Sequence, residues 1–215
     1  MDSNDEGYIA VGAPSLAGDD QSGMAFVFRP NSDLTDWELL AKLTPSDDGR
    51  WAPSFGSSVV FDGTLIAVGL PDKNGKGSVY VFEKTGNAWS KSVKLSPEDA
   101  LADRAFFGST VSLYGDTPAK LAMGAPRDTG GGSAFVYKRF DSDWVPQKLT
   151  PRNVEEGDEF GSSVVISGCS IGANNIMMNL PQVVAFDTKP SRINNILMPL
   201  SNVVVMYCNG ENQKS

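Results

Sequence analysis

The chain has 215 residues, a net charge of −8 and a pI near 4.5; 22 glycines and 20% charged residues suit many short strands joined by tight turns. The acidic surplus repels a phosphate backbone or an anionic bilayer, which argues against nucleic acid as a partner. The absence of histidine removes Ser-His-Asp and Cys-His nucleophiles and every histidine-bearing metal site.

In chain order, the first segment, Met1 to Glu6, is acidic where a signal peptide needs a basic and then an apolar run, and no apolar stretch approaches the ~20 residues of a membrane helix. The first predicted strand is Ile9-Ala10-Val11-Gly12, closed by Ala13-Pro14 and a loop that carries Asp19 and Asp20. Next come an alternating aromatic strand, Ala25-Phe26-Val27-Phe28, and a more polar strand from Trp37 to Leu43-Thr44-Pro45. A longer loop holds Asp47, Asp48, Arg50, Trp51 and Pro53 before Phe55-Gly56-Ser57-Ser58-Val59-Val60.

From there the pattern repeats. Phe107-Gly108-Ser109-Thr110-Val111 and Phe160-Gly161-Ser162-Ser163-Val164 follow at spacings of 52 and 53 residues. The second segment returns as Ile66-Ala67-Val68-Gly69-Leu70-Pro71 and Leu121-Ala122-Met123-Gly124-Ala125-Pro126, the aromatic segment as Val79-Tyr80-Val81-Phe82 and Ala134-Phe135-Val136-Tyr137. Trp89 and Trp144 each open a polar segment ending in Leu95-Ser96-Pro97 and Leu149-Thr150-Pro151. Each period therefore predicts four antiparallel strands, small and apolar at the start and polar at the end. That gradient belongs to a radial blade whose inner strands are buried on both faces, so the fold class is all-β, with about three β-propeller blades in an open or incomplete ring.

Phe-Gly and Gly-Ala-Pro within one repeat resemble the FG-GAP signature of integrin α-subunit heads and many surface proteins, over roughly residues 7 to 168. The resemblance implies an extracellular or cell-surface binding module, with calcium held by alternating Asp and Asn after Gly-Ala-Pro. The residues fit that cation poorly. Calcium takes six to eight oxygens, and the loops offer Asp19 and Asp20, then Asp72 and Asn74 with Lys76 where a further acid is wanted, then Asp128 among three glycines. Turn preferences of Asp, Asn and Gly account for the same residues, so the expected cofactor is none, with calcium the one cation the resemblance implies.

Gly12, Gly69 and Gly124 are expected to allow close backbone approach at the end of the second strand. Phe55, Phe107 and Phe160, with Gly56, Gly108 and Gly161, are expected to pack between blades. The tryptophans are read as packing residues of the outermost strands. Trp51 and Arg50, which stand outside the repeat, and the acids before each Phe-Gly, Asp103 and Asp158 among them, are the candidate contact residues. Because the acids recur in every repeat, a solvated rim explains them better than a catalytic pair, which is needed only once.

After Gly168 the markers stop. Eight of the thirteen asparagines, both cysteines and only two of the 22 glycines fall in residues 169–215, so the chain divides into blades at 1–168 and a divergent tail at 169–215. The tail is either a degenerate fourth blade or sequence unrelated to the array, and the second is preferred because the first repeat opens in mid-blade. Cys169 and Cys208 are open to a disulfide or to two free thiols. The expected function is a non-catalytic binding, adhesion or assembly module that presents inter-strand loops to a protein or glycan. The alternative is a fragment of a propeller-based polysaccharide lyase or hydrolase. Three blades leave apolar faces at both ends of the array, to be covered by a capping partner or a second copy completing a six-bladed ring, ranked above the tail folded as a fourth blade.

Overall fold

The computed structural model describes residues 7–15, 22–45, 52–72, 75–86, 88–97, 101–115, 118–150, 155–173, 176–186, 192–193, 196–197 and 207–208. Among these there is no helix long and apolar enough to cross a membrane. The first sheet holds β1 (Ile9–Ala13), β2 (Met24–Pro30) and β3 (Trp37–Leu43); the second holds β4 (Ser58–Asp62), β5 (Leu65–Leu70), β6 (Ser78–Thr85) and β7 (Ala88–Leu95). The third holds β8 (Val111–Tyr114), β9 (Lys120–Ala125), β10 (Ser133–Phe140) and β11 (Asp143–Leu149). Every neighbour is antiparallel and sequential in the chain, which is the four-stranded blade expected from the repeat.

Position within the blade follows from polarity. β5, Leu-Ile-Ala-Val-Gly-Leu, is buried along nearly its whole length, and so is β9. The Trp strands β3, β7 and β11 are mostly exposed and form the far edge of each sheet. Neighbouring sheets meet through their inner strands, β1 on β4, β4 on β8 and β8 on the next strand, β12 (Ser163–Ala173). The array is open rather than closed.

The polar edge strand explains one irregularity. In the first two blades the ladder between the third and fourth strands slips after Val27 and after Val81, whereas β10 and β11 pair without a break from Ala134↔Leu149 to Phe140↔Asp143. Six residues separate Trp37 from Leu43 and Trp89 from Leu95, but only five separate Trp144 from Leu149. The third repeat lacks the one extra residue that makes a β-bulge.

Beyond the third blade, β12 pairs with β13 (Ile176–Phe186), from Ser163↔Phe186 to Ala173↔Ile176. β14 (Arg192–Ile193) pairs with β15 (Ile196–Leu197), and β16 (Tyr207–Cys208) adds to β13 at Gln182↔Cys208 and Val183↔Tyr207. The strand that opens at Ser163 runs on past position 168, where the repeat markers stop, and pairs with β13 of the tail. Pro181 lies inside β13 opposite Gly168. An antiparallel ladder draws on only alternate N–H groups along each edge, so a proline fits where the lost donor is not used.

Candidate functional site

The blades are joined by Phe-Gly corners. Gly56, Gly108 and Gly161 have φ of +90°, +84° and +92°, a region that side chains rarely adopt, so each corner demands glycine. The turn drives the preceding phenylalanine inward. Phe55 sits at ring-centroid distances of 5.5 Å from Tyr80 and 6.4 Å from Phe82, and Phe107 at 5.3 Å from Phe135 and 6.3 Å from Tyr137. Opposite them the second-strand glycines give the space: a Cβ on Gly12, Gly69 or Gly124 would overlap the carbonyl oxygen of Gly56, Gly108 or Gly161.

Around the second corner, the connectors are stitched into one surface. The Arg104 amide donates to Gly75 O at 3.0 Å, the Phe107 amide to Lys76 O at 2.9 Å, and the Arg127 amide to Ala105 O at 3.2 Å. Arg104 and Phe106 are both held at φ +61°, strained for a bulky side chain and costing of order 1–3 kcal/mol where the surroundings enforce it. The Arg127 guanidinium lies 4.6 Å from the centroid of the Phe106 ring. Asp103, Arg104 and Arg127 are exposed, with Phe106 half-buried beneath. Of this surface the sequence pattern singles out only Asp103. The signals that could have found the rest are the doubled Phe106-Phe107 and an arginine after Pro126, where the preceding repeat has Asp72 after Pro71.

Asp128 occupies a different setting. Its side chain is fully buried; its carboxylate accepts from the Ala102 amide at 2.9 Å and the Ser133 hydroxyl at 2.8 Å and pairs with Lys148 Nζ at 2.6 Å. Burial pushes its pKa up, but the Lys148 ammonium and the two hydrogen bonds outweigh burial and hold it below the ordinary value of 3.8. With those oxygens committed to a lysine and two neutral donors, the carboxylate does not fit a calcium ligand. It ties the connector at Ala102 to the glycine-rich loop and to β11. Asp72 is exposed, its carboxylate folded near Gly75. Among the described residues, no three Asp, Glu, Cys or His side chains come together as a cation site.

The Asp158 carboxylate accepts from the Glu155 amide at 2.7 Å, closing a turn before Phe160. Asp19, Asp20, Asn74, Arg50 and Trp51 lie outside the described residues. Trp89 stacks edge-on with Phe61 at 5.9 Å, and Trp144 packs against the core between the second and third blades. Trp37 differs: it is 46% exposed.

Because the folded pKa of Asp128 is depressed, its contribution to stability is complete above 3.8 and is lost as pH falls through the folded value. Asp128→Asn is expected to cost about 2 kcal/mol at pH 7, or roughly 4–8 °C in melting temperature. It should also flatten the loss of stability below about pH 4 that the wild type shows; thermal melts across pH check both.

The FG-GAP repeat model matches residues 37–82 and 89–137. Each match runs from a Trp strand through the Phe-Gly corner to the aromatic third strand of the next blade, so it spans the blade junction. No curated protein matches the chain. The matches, the Phe-Gly corners and the antiparallel blades show that residues 37–82 and 89–137 carry FG-GAP repeats.

Proposed function

We propose that the chain is a non-catalytic binding module, placed outside the cell or at its surface, that recognises an acidic group on a protein or glycan with the loops around Phe106. The observation that supports this is the Arg127 guanidinium over the ring of Phe106, a residue held at positive φ in connectors joined by three backbone hydrogen bonds. A pre-ordered guanidinium with an open edge pairs bidentately with carboxylate or sulfate, and it concentrates positive charge in a chain that is otherwise acidic. In the loop around Asp128, Lys148 already neutralises the carboxylate, which argues against a tightly held calcium there. Tyr137, whose phenol burial pushes up to about 12, serves the core rather than proton transfer.

The test passes carboxylated and sulfated polysaccharides and acidic secreted glycoproteins over the immobilised chain. Reversible binding is expected, weakened at least about tenfold by Arg127→Ala, with melting unchanged within about 0.5 kcal/mol because the site is exposed. Steady release of unsaturated or reducing sugar ends would instead support the lyase or hydrolase alternative.

A further inference from the structure

Two of the three Phe-Gly corners are strained at the residue before the phenylalanine. Phe106 takes φ +61° and Glu159 φ +57°, whereas Ser54, their counterpart before Phe55, takes no positive φ. What ties down the connector differs in step. Before Phe55 the Ala52 amide donates to a neutral hydroxyl, Ser22 Oγ at 3.1 Å. Before Phe107 the Ala102 amide donates to the Asp128 carboxylate at 2.9 Å, and before Phe160 the Glu155 amide donates to the Asp158 carboxylate at 2.7 Å. A carboxylate makes the stronger bond to an amide, and strained backbone persists only where its surroundings over-determine it.

Asp158 acts within its own turn, but Asp128 reaches across from the β9–β10 loop, where it follows Arg127. Two bonds therefore join this loop to the connector, one on either side of Asp103 and Arg104. The Ala102 amide donates to Asp128, and the Arg127 amide donates to Ala105 O at 3.2 Å. Together they fix the stretch that leads into Phe106 and set the start of the Arg127 side chain relative to its ring, 4.6 Å from the guanidinium. Lys148 Nζ at 2.6 Å and the Ser133 hydroxyl at 2.8 Å complete the carboxylate, whose side chain is 0% exposed. A buried carboxylate is costly without a counter-ion. Lys148 supplies it, so Arg127, the next residue in the chain, is not needed for that purpose.

We infer that Asp128, held charged by Lys148, is the positioning residue of the surface around Phe106: it fixes the connector against the β9–β10 loop, so that the exposed Arg127 guanidinium is presented over the ring and available to an acidic group. The inference rests on the reading of Arg127 as the group that meets the partner. The first junction gives the contrast. There the same two connections run from the Ser15 amide to Pro53 O at 2.8 Å and from the Ala52 amide to Ser22, and Ser15 and Ser54 stand in the places of Arg127 and Phe106. Neither serine can pair bidentately with an acid. Between these two junctions, the charged clamp goes with the arginine and the neutral clamp with the serines.

The first readout is nuclear magnetic resonance of the full chain without a ligand. The Arg127 δ-methylene protons should resonate upfield, shielded by the Phe106 ring, and Phe106→Leu marks their unshielded position. Asp128→Asn and Lys148→Met should each move them most of the way to that position and Lys148→Arg should leave them shielded, while the methyl resonances of Ile66 and Val68 at the first junction stay in place. Lys148, whose side chain is 32% exposed, carries the test if Asp128→Asn does not fold. The second readout is affinity for dextran sulfate and for poly-glutamate. Asp128→Asn should weaken it about tenfold by lowering the fraction of chains in the binding-ready arrangement, and should add nothing to the loss caused by Arg127→Ala. Arg127 protons that stay shielded in a folded Asp128→Asn or Lys148→Met chain overturn the inference, as do losses from Asp128→Asn and Arg127→Ala that simply add. Shielding lost as expected in a chain that binds neither polymer supports Asp128 as the residue that places Arg127, and overturns the acid-binding reading alone.

Discussion

Replacing Phe107 by alanine is expected to destabilise the array by about 4 kcal/mol. Its ring is fully buried and is held edge-on against Phe135 and tilted against Tyr137, in a cluster that draws on both the second and third blades. The corner glycine fixes the backbone at φ +84°, so the chain has no freedom to bring another group into the cavity. Native stabilities are about 5–15 kcal/mol, and the variant should therefore melt far below the wild type or aggregate. Phe140→Ala serves as the control, since Phe140 is 54% exposed at the end of the same third strand as Phe135. Urea unfolding of the two variants should differ by at least about 3 kcal/mol; equal losses would show that the Phe-Gly corner does not carry the junction.

Gly124→Ala is expected to be nearly as damaging, about 3 kcal/mol or more, for the opposite reason. A single methyl at Gly124 overlaps the Gly161 carbonyl oxygen and presses on Thr110, and the first of these is backbone that cannot rotate away. Relief requires β9 to move off the Phe160-Gly161 corner, breaking the contact of the third blade with β12. The control is Gly7→Ala, where an added Cβ meets nothing within 4 Å; it should leave the urea midpoint unchanged. Gly69→Ala should repeat the Gly124 result one junction earlier, because its Cβ overlaps Gly108 O.

The repeat made much of this legible in advance. Periodic markers fixed the four strands of a blade, since β-strand burial depends on small apolar residues such as Ala67 and Ala122 lying between two packed faces, and polar ones such as Lys91 and Lys94 on the outer edge. Close approach at Gly69 followed from a glycine ending an otherwise apolar strand. The binding surface was less readable because it depends on backbone strain and on contacts between connectors. Nothing in the residue types says that Phe106 takes a positive φ or that Arg127 reaches it. Asp128 was misleading for a related reason: a carboxylate in a glycine-rich loop resembles a cation ligand until Lys148, 20 residues on, is brought to it by the β10–β11 hairpin. The tail defeated pattern reading because strand pairing there, β12 with β13, is non-repeating and carries a proline within it.

That successive blades are locked together by their Phe-Gly corners is tested most directly by native-state hydrogen exchange, read residue by residue. The Phe107 amide donates to Lys76 O at 2.9 Å and the Phe160 amide to Gly131 O at 2.8 Å, although both residues lie outside the strands. The locked array predicts that these two amides exchange as slowly as those of β5 and β9, opening only when the blades come apart. Exchange of both at the fast rate of the exposed Gly63–Thr64 turn would mean that the blades are only loosely tethered, and would contradict the account.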